Sequence, residues 1–325
     1  MEASSSISNS DVKKNLKLLG LFLLFLVVGN AVATGFLEYA YARTLAGSSG
    51  GRLNYFLQNH QKYKAVILGN SRAHRQIDPE QLFLPTYNLA HSGMDSVFHV
   101  GLLSELARQN ALPSVVLLHL DTRFFVTGRN RNAVLSDAGH LKQLYGKNPE
   151  ITRFIRERDR FAELKYLLTA YRFNGKVLPI LKNAFASAPE QGNGYQALDP
   201  SPEDMGRVKE ALGRKGEVEP GKGLSEAECE LLRLAVKICH DNNAKLVCFT
   251  GPVLFPDYDL TEAKRFLDKE LGAEGIPYFD FQRDAIAELD ETMWRDQTHL
   301  NHKGALILSE ELSRRLKAVL PKSGL

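Results

Sequence analysis

Polar and apolar positions divide this chain into a short polar start, one long apolar run, and then a mixed pattern of short apolar runs and helical periodicities. The long run covers 18–37 and is apolar apart from Gly20, Gly29, Asn30, Thr34 and Gly35. At helical rise it spans about 30 Å, the thickness of a bilayer's hydrocarbon core. Further on, short apolar and β-branched runs at 64–68, 86–90, 114–120 and 245–250, with a shorter one at 277–279, read as buried strands. Amphipathic spacing predicts helices over 96–110, 225–242, 261–271 and 302–319, the second opening on a Ser225/Glu228 capping box. Asp78-Pro79-Glu80 predicts a capped helical turn. Strands alternating with helices in this way predict an α/β fold with a parallel sheet and right-handed crossovers.

The alternation stops between about 126 and 223, where the sequence is helical and loop-like. Amphipathic helices with basic faces are expected within 151–188, and 189–223 is rich in Gly, Pro and charge and reads as irregular. This is an insertion at a strand end, a position that suits a lid, a partner surface or a solvated decoration.

Lys13, Lys14 and Lys17 precede the long apolar run, while Glu38 and Arg43 follow it. The positive-inside rule therefore places a cytoplasmic tail at 1–17, a transmembrane signal anchor at 18–37 and the remainder in the periplasm or extracellular space. Ala31-Val32-Ala33 also offers a signal-peptidase site, but the apolar stretch continues past it. Residues 38–61 read as a juxtamembrane linker, with Gly47-Ser48-Ser49-Gly50-Gly51 as a flexible spacer, and 62–325 as the folded domain.

The net charge of +3 and the absence of an arginine-rich run argue against a nucleic-acid partner. Cys229 and Cys239 lie ten positions apart in one expected helix, about 15 Å along it and too far to bridge. Cys248 falls in a strand pattern and reads as a small buried hydrophobe. No Cys/His spacing suits zinc, and the serine chemistry read below needs neither a metal nor an organic cofactor. Gly216 to Gly223 imitates a phosphate loop but lacks the closing Ser/Thr and a preceding strand.

Three stretches carry candidate chemistry. Gly69-Asn70-Ser71 delivers a hydroxyl just past the first strand, at the sheet edge where open α/β folds place their sites. Asp296-Gln297-Thr298-His299 sets a carboxylate three residues before an imidazole, a spacing that suits an orienting acid and a general base. Asn88-Leu89-Ala90-His91-Ser92-Gly93 follows the second strand, and its glycine lets a backbone N–H approach a developing oxyanion. The Ser71 amide, opening a helix-like turn, is a second such donor. Arg72 beside the serine and Asn88 are the candidate substrate contacts. His74, His91, His99, His119 and His302 read as surface or satisfied polar residues, and Trp294 as a packing anchor for the Asp296 loop.

In their order, strand placement and separation of about 225 residues, these stretches resemble the first, second and fifth blocks of the SGNH/GDSL hydrolase superfamily. The resemblance covers about 62–320 without the insertion. It implies a three-layer α/β/α sandwich, with Ser71 as nucleophile and Asp296 and His299 as acid and base. The family's third block offers Gly-x-Asn-Asp, whose Asn completes the oxyanion hole, whereas the matching strand end here reads His119-Leu120-Asp121-Thr122-Arg123. An ionised Asp121 would repel an oxyanion, and losing one donor costs about 3–4 kcal/mol of transition-state stabilisation. Either Asp121 is protonated, Arg123 or His119 compensates, or the hole has two donors.

The membrane anchor and divergent third block resemble SGNH-like proteins of bacterial alginate O-acetylation and teichoic-acid D-alanylation. That narrower resemblance implies an acylated polysaccharide or small ester substrate and a multispanning membrane O-acyltransferase partner. The reading that results is a membrane-anchored serine hydrolase or acyltransferase acting on O-acyl esters. A catalytically silent scaffold that binds polymer or the transferase, and a stand-alone carboxylesterase or lipase, are the alternatives.

Overall fold

The structure, a computed structural model, describes residues 9–47, 50–186 and 192–320. Its organising element is a five-stranded, wholly parallel sheet in the order β2-β1-β3-β4-β5. In chain order, helices α1 (Asn9–Arg43) and α2 (Gly51–Asn59) lead into β1 (Ala65–Leu68), α3 (Ser71–Gln76), β2 (Thr86–Asn88), α4 (Ser96–Arg108) and β3 (Val115–His119). After the short α5 (Thr122–Val126), the insertion contributes α6 (Arg131–Val134), α7 (Pro149–Arg158), α8 (Ala162–Lys165), α9 (Val177–Ala186) and α10 (Asp204–Gly213). The sheet resumes with α11 (Glu226–Asp241), β4 (Lys245–Thr250), α12 (Thr261–Ala273), β5 (Tyr278–Asp280) and α13 (His302–Val319).

Strand periodicity sorts the core into two layers. Val66, Leu68, Val116, Leu118, Leu246 and Cys248 face α4, α11 and α12. Their neighbours Ala65, Ile67, Val115, Leu117, Val247 and Phe249 face α3 and α13. Both faces are covered, which is why these strands read as continuous apolar runs without polar alternation. This is the expected α/β sandwich.

Several expectations need correction. The helix predicted over 18–37 begins at Asn9 and runs to Arg43, so part of the expected tail is helical. It is long and apolar enough to cross a membrane. The expected linker at 38–61 is mostly structured: it holds the end of α1 and all of α2, whose Leu53 and Phe56 are buried in the core. Asn54 Nδ2 donates to Tyr41 O (2.6 Å) and Thr44 O (3.2 Å), closing the turn between the two helices. Ser48 and Ser49 of the predicted spacer lie outside the described residues. The Ser225/Glu228 capping box does not form; Ser225 Oγ donates to Arg129 O (3.0 Å). The stretch expected to be irregular contains α10, and its residues 189–191 lie outside the described ones.

Gly69 ends β1 at φ 150°, and a Cβ there would meet His119 Cβ at 2.5 Å and Ala73 Cβ at 2.9 Å. Gly69→Ala is therefore expected to destabilise the protein by about 1–3 kcal/mol through overpacking. The urea midpoint of detergent-solubilised protein reads this, and an unchanged midpoint would mean the two strand ends can part at no cost.

Candidate active site

The site forms at the carboxyl edge of the sheet, where β1, β2 and β3 end. Asn70 caps α3 by accepting the Arg72 N–H (3.0 Å) and leaves Ser71 as the first residue of the helix. The partner loop is held from the other side. Asn301 caps α13, accepts the Gly304 N–H (3.3 Å) and donates from Nδ2 to Thr292 O (2.8 Å), while Trp294 and Leu300 pair across the loop and are buried. Trp294 thus packs as expected of an anchor. Gln76 Nε2 donates to Thr298 O (2.8 Å) and ties α3, which carries Ser71, directly to this loop.

Ser71 Oγ lies 2.8 Å from His299 Nε2, and His299 Nδ1 lies 3.0 Å from Asp296 Oδ2. Asp296 Oδ1 also accepts the backbone N–H groups of Thr298 (2.8 Å) and His299 (2.9 Å). Burial works to raise the Asp296 pKa, but the His299 hydrogen bond and charge and the two amides outweigh it and hold the carboxyl well below its usual range. An ionised carboxylate only accepts, so the Nδ1 facing it carries the proton and Nε2 is left to accept from the Ser71 hydroxyl. Side-chain exposures of 25% for His299 and 40% for Asp296 leave the pair reachable by substrate.

Gly93 sits in a turn at φ 74°, and among the described residues nothing lies within 4 Å of where its Cβ would be. The preceding Ser92 Oγ is 2.9 Å from His74 Nδ1 and accepts from Arg75 Nε (3.2 Å), so the Gly93 turn is tethered to the helix that carries Ser71. Burial, reinforced by Arg52 and Arg75, pushes His74 down to about 2 and keeps it neutral.

Three sequence-based assignments change. Asn88 is fully buried; its Nδ2 donates to Ala73 O (2.8 Å) and Ile77 O (2.9 Å), and its Oδ1 accepts the Ala90 N–H (3.1 Å). It fastens β2 to α3 and does not face substrate. Arg72 is 1% exposed, which removes it as a substrate contact. Its Nη2 lies 2.8 Å from Asp121 Oδ1 but off the N–H direction, so the contact is an ion pair without an aligned hydrogen bond.

Asp121 itself caps α5, accepts from Asn70 Nδ2 (3.0 Å) and pairs with Arg123 Nη2 (3.1 Å). Burial alone would raise its pKa; Arg72 and Arg123 overcome that and hold it well below the carboxylate range. Asp121 is thus ionised and engaged, and it is no oxyanion donor. Asn70 Nδ2 spends one of its two N–H groups on Asp121 and keeps the other, so it joins the candidate donors beside Ser71. His119 is buried and neutral: burial first, then Arg72, pushes its pKa down, and among the described residues neither ring nitrogen has a partner. Of the expected donors, the amides of Ser71 and Gly93 remain.

Two positioning groups escaped the sequence reading. Arg52 on α2 donates to Ala90 O, Asn88 O and Gly194 O (the last at 2.6 Å), clamping the backbone that leads to Gly93. Its only sequence signal was an arginine inside an apparent linker. The far end of the insertion also meets the start of α13, just past the Asp296–His299 loop, with His302 N donating to Leu198 O (2.7 Å) and Tyr195 Oη 3.0 Å from His302 Nδ1.

Behind Asn70 and Asp121 lies a cavity of about 30 Å³ that reaches Ser96, His99, Phe124 and Glu228. That is room for ordered water. Burial pushes the Glu228 carboxyl up to about 7 despite Arg129 Nη1 at 3.3 Å. A raised folded-state pKa means the folded protein holds the extra proton, so the stability this group contributes is lost as pH rises from 4.5 to about 7. Glu228→Gln removes that slope, worth about 3 kcal/mol at about 1.4 kcal/mol per pH unit. The buried neutral histidines His74 and His119 contribute the opposite slope in both proteins, so the variant's urea midpoint is expected to gain more between pH 5 and pH 8 than the wild type's. Parallel pH dependences would mean Glu228 is ionised throughout. Among the described residues no cluster of His, Cys, Asp and Glu could hold a metal ion.

No family model matches the chain, and no curated protein matches it. A crystal structure of a Bacteroides fragilis NCTC 9343 protein, described as a candidate acylhydrolase, is similar at a TM-score of 0.42 and 10% identity. The likeness covers 83% of this chain and 97% of that one.

Proposed function

We propose that this chain is a membrane-anchored serine hydrolase or acyltransferase that acts on O-acyl esters outside the cytoplasm, as its SGNH-like blocks suggest. The single observation that carries the reading is the run of hydrogen bonds from Ser71 Oγ through His299 to Asp296. Ser71 Oγ attacks the acyl carbon as His299 Nε2 takes its proton, and Asp296 steadies the imidazolium that forms. The amides of Ser71 and Gly93 receive the tetrahedral oxyanion. Collapse breaks the ester C–O bond, and His299 returns the proton to the leaving alkoxide. Water or a sugar hydroxyl, deprotonated by the same imidazole, then releases the acyl group from Ser71.

The membrane part of the proposal is supported by α1 and by the lysines before it. Asn30, on the N-terminal side of the Ala31-Val32-Ala33 site, bonds to Thr169 and Ala170 of the folded domain, which favours retention of the segment over cleavage. An acylated envelope polysaccharide as substrate and a multispanning O-acyltransferase as partner extend the same resemblance, and co-purification from membranes tests that extension. The hydrolase reading is tested with a chromogenic acetyl ester and detergent-solubilised protein. Turnover should depend on Ser71, and a Ser71→Ala variant that keeps the wild-type rate would refute it.

A further inference from the structure

The insertion packs against α1 at a depth that should lie inside the membrane. Asn30 and Thr34, two of the few polar residues in the apolar run, both bond to it: Asn30 Nδ2 donates to Thr169 Oγ1 (3.1 Å), Asn30 Oδ1 accepts the Ala170 N–H (3.0 Å), and Thr34 Oγ1 is 2.7 Å from Thr169 Oγ1. Below them Leu37 and Ala40 pack on Phe173 and Ile180, and Glu38 pairs with Arg172 (2.6 Å) and Lys147 (2.9 Å). From Val12 to Gly29 every described side chain of α1 is exposed; from Asn30 onward one face is covered. Asn30 lies about 10 Å along the helix inside the end of the apolar run at Leu37, and interfacial elements reach about 5–10 Å into the headgroup and acyl boundary.

The part of the insertion that makes these contacts carries apolar side chains with no cover. Leu164 is 67% exposed, Leu167 72%, Leu178 79% and Phe185 65%. Arg158, Arg160, Lys165 and Lys182 stand exposed among them. An apolar surface continuous with a lipid-facing helix and edged by cations has the character of a bilayer interface.

We propose that residues 161–186 are seated in the outer-leaflet interface, with Leu164, Leu167, Leu178 and Phe185 in contact with lipid. This rests on the proposed membrane span of α1. The same chain carries Ser71, so seating 161–186 in lipid holds the site near the bilayer and favours esters presented close to the membrane.

The three native cysteines are buried, so an environment-sensitive dye can be placed on single introduced thiols in the full chain. Leu167→Cys and Leu178→Cys report on the insertion, Phe22→Cys on α1, and Lys237→Cys on an exposed position in α11. The labelled proteins are reconstituted in phosphatidylcholine/phosphatidylglycerol vesicles containing brominated lipid. At least twofold quenching is expected at positions 167, 178 and 22, and none at 237. Quenching at 22 with positions 167 and 178 open to aqueous iodide would overturn this proposal and leave the membrane span standing. No lipid quenching at 22 would overturn both. Positions 167 and 178 shielded from lipid and iodide alike would mean a protein covers the patch, and would equally overturn lipid contact.

Discussion

Replacing His299 by alanine is expected to lower ester turnover by about 10⁴- to 10⁶-fold, the range seen when one member of such a hydrogen-bonded unit is lost. The loss follows from the geometry: Nε2 is the group 2.8 Å from Ser71 Oγ that can take its proton. Asp296→Asn is expected to cost about 10⁴-fold, because an amide in place of the carboxylate no longer fixes the proton on Nδ1. Combining His299→Ala with Ser71→Ala should lower the rate little beyond either single change, since the groups act as one unit. Both residues are partly exposed, so these variants should keep the wild-type urea midpoint. Initial rates with a chromogenic acetyl ester measure the effect. Losses that multiply in the double variant would mean that the two residues act separately.

Asp121→Ala is expected to do something different: to destabilise the protein by about 3–5 kcal/mol, the cost of breaking a buried ion pair from one side. Arg72 is 1% exposed and would be left charged without its carboxylate. Against a total stability of about 5–15 kcal/mol, that is a large share. Arg72→Met in the Asp121→Ala background removes the stranded charge and should recover part of the loss. Urea midpoints of the two single variants and the double variant close the cycle. A fall in turnover with an unchanged midpoint would instead return Asp121 to the oxyanion hole.

That contrast marks where the sequence stops being legible. The runs at 64–68, 114–120 and 245–250 became strands because both faces of a parallel sheet are covered, and a short continuous apolar run has few other uses. The order Ser71, Gly93, Asp296, His299 was readable because each residue sits just past a strand or just before a helix, and the chain there has one way to run. Asp121 was placed at the correct strand end, yet its partner Arg72 lies on another element and no periodicity couples the two. Arg52 was lost for a similar reason: a glycine- and serine-rich stretch looks like a spacer until Leu53 and Phe56 are seen in the core. The contact of Thr169 with Asn30 is more remote still, joining an insertion to a helix that precedes the sheet.

The most direct measurement of the central claim is covalent labelling by a fluorophosphonate, which captures a serine only when a base has activated it. Detergent-solubilised wild-type protein should gain one phosphonyl group, mapped by peptide mass spectrometry to Ser71, with no labelling in Ser71→Ala or His299→Ala. An unlabelled wild type, or a label on another residue that persists in Ser71→Ala, would contradict the proposed nucleophile and favour a silent scaffold.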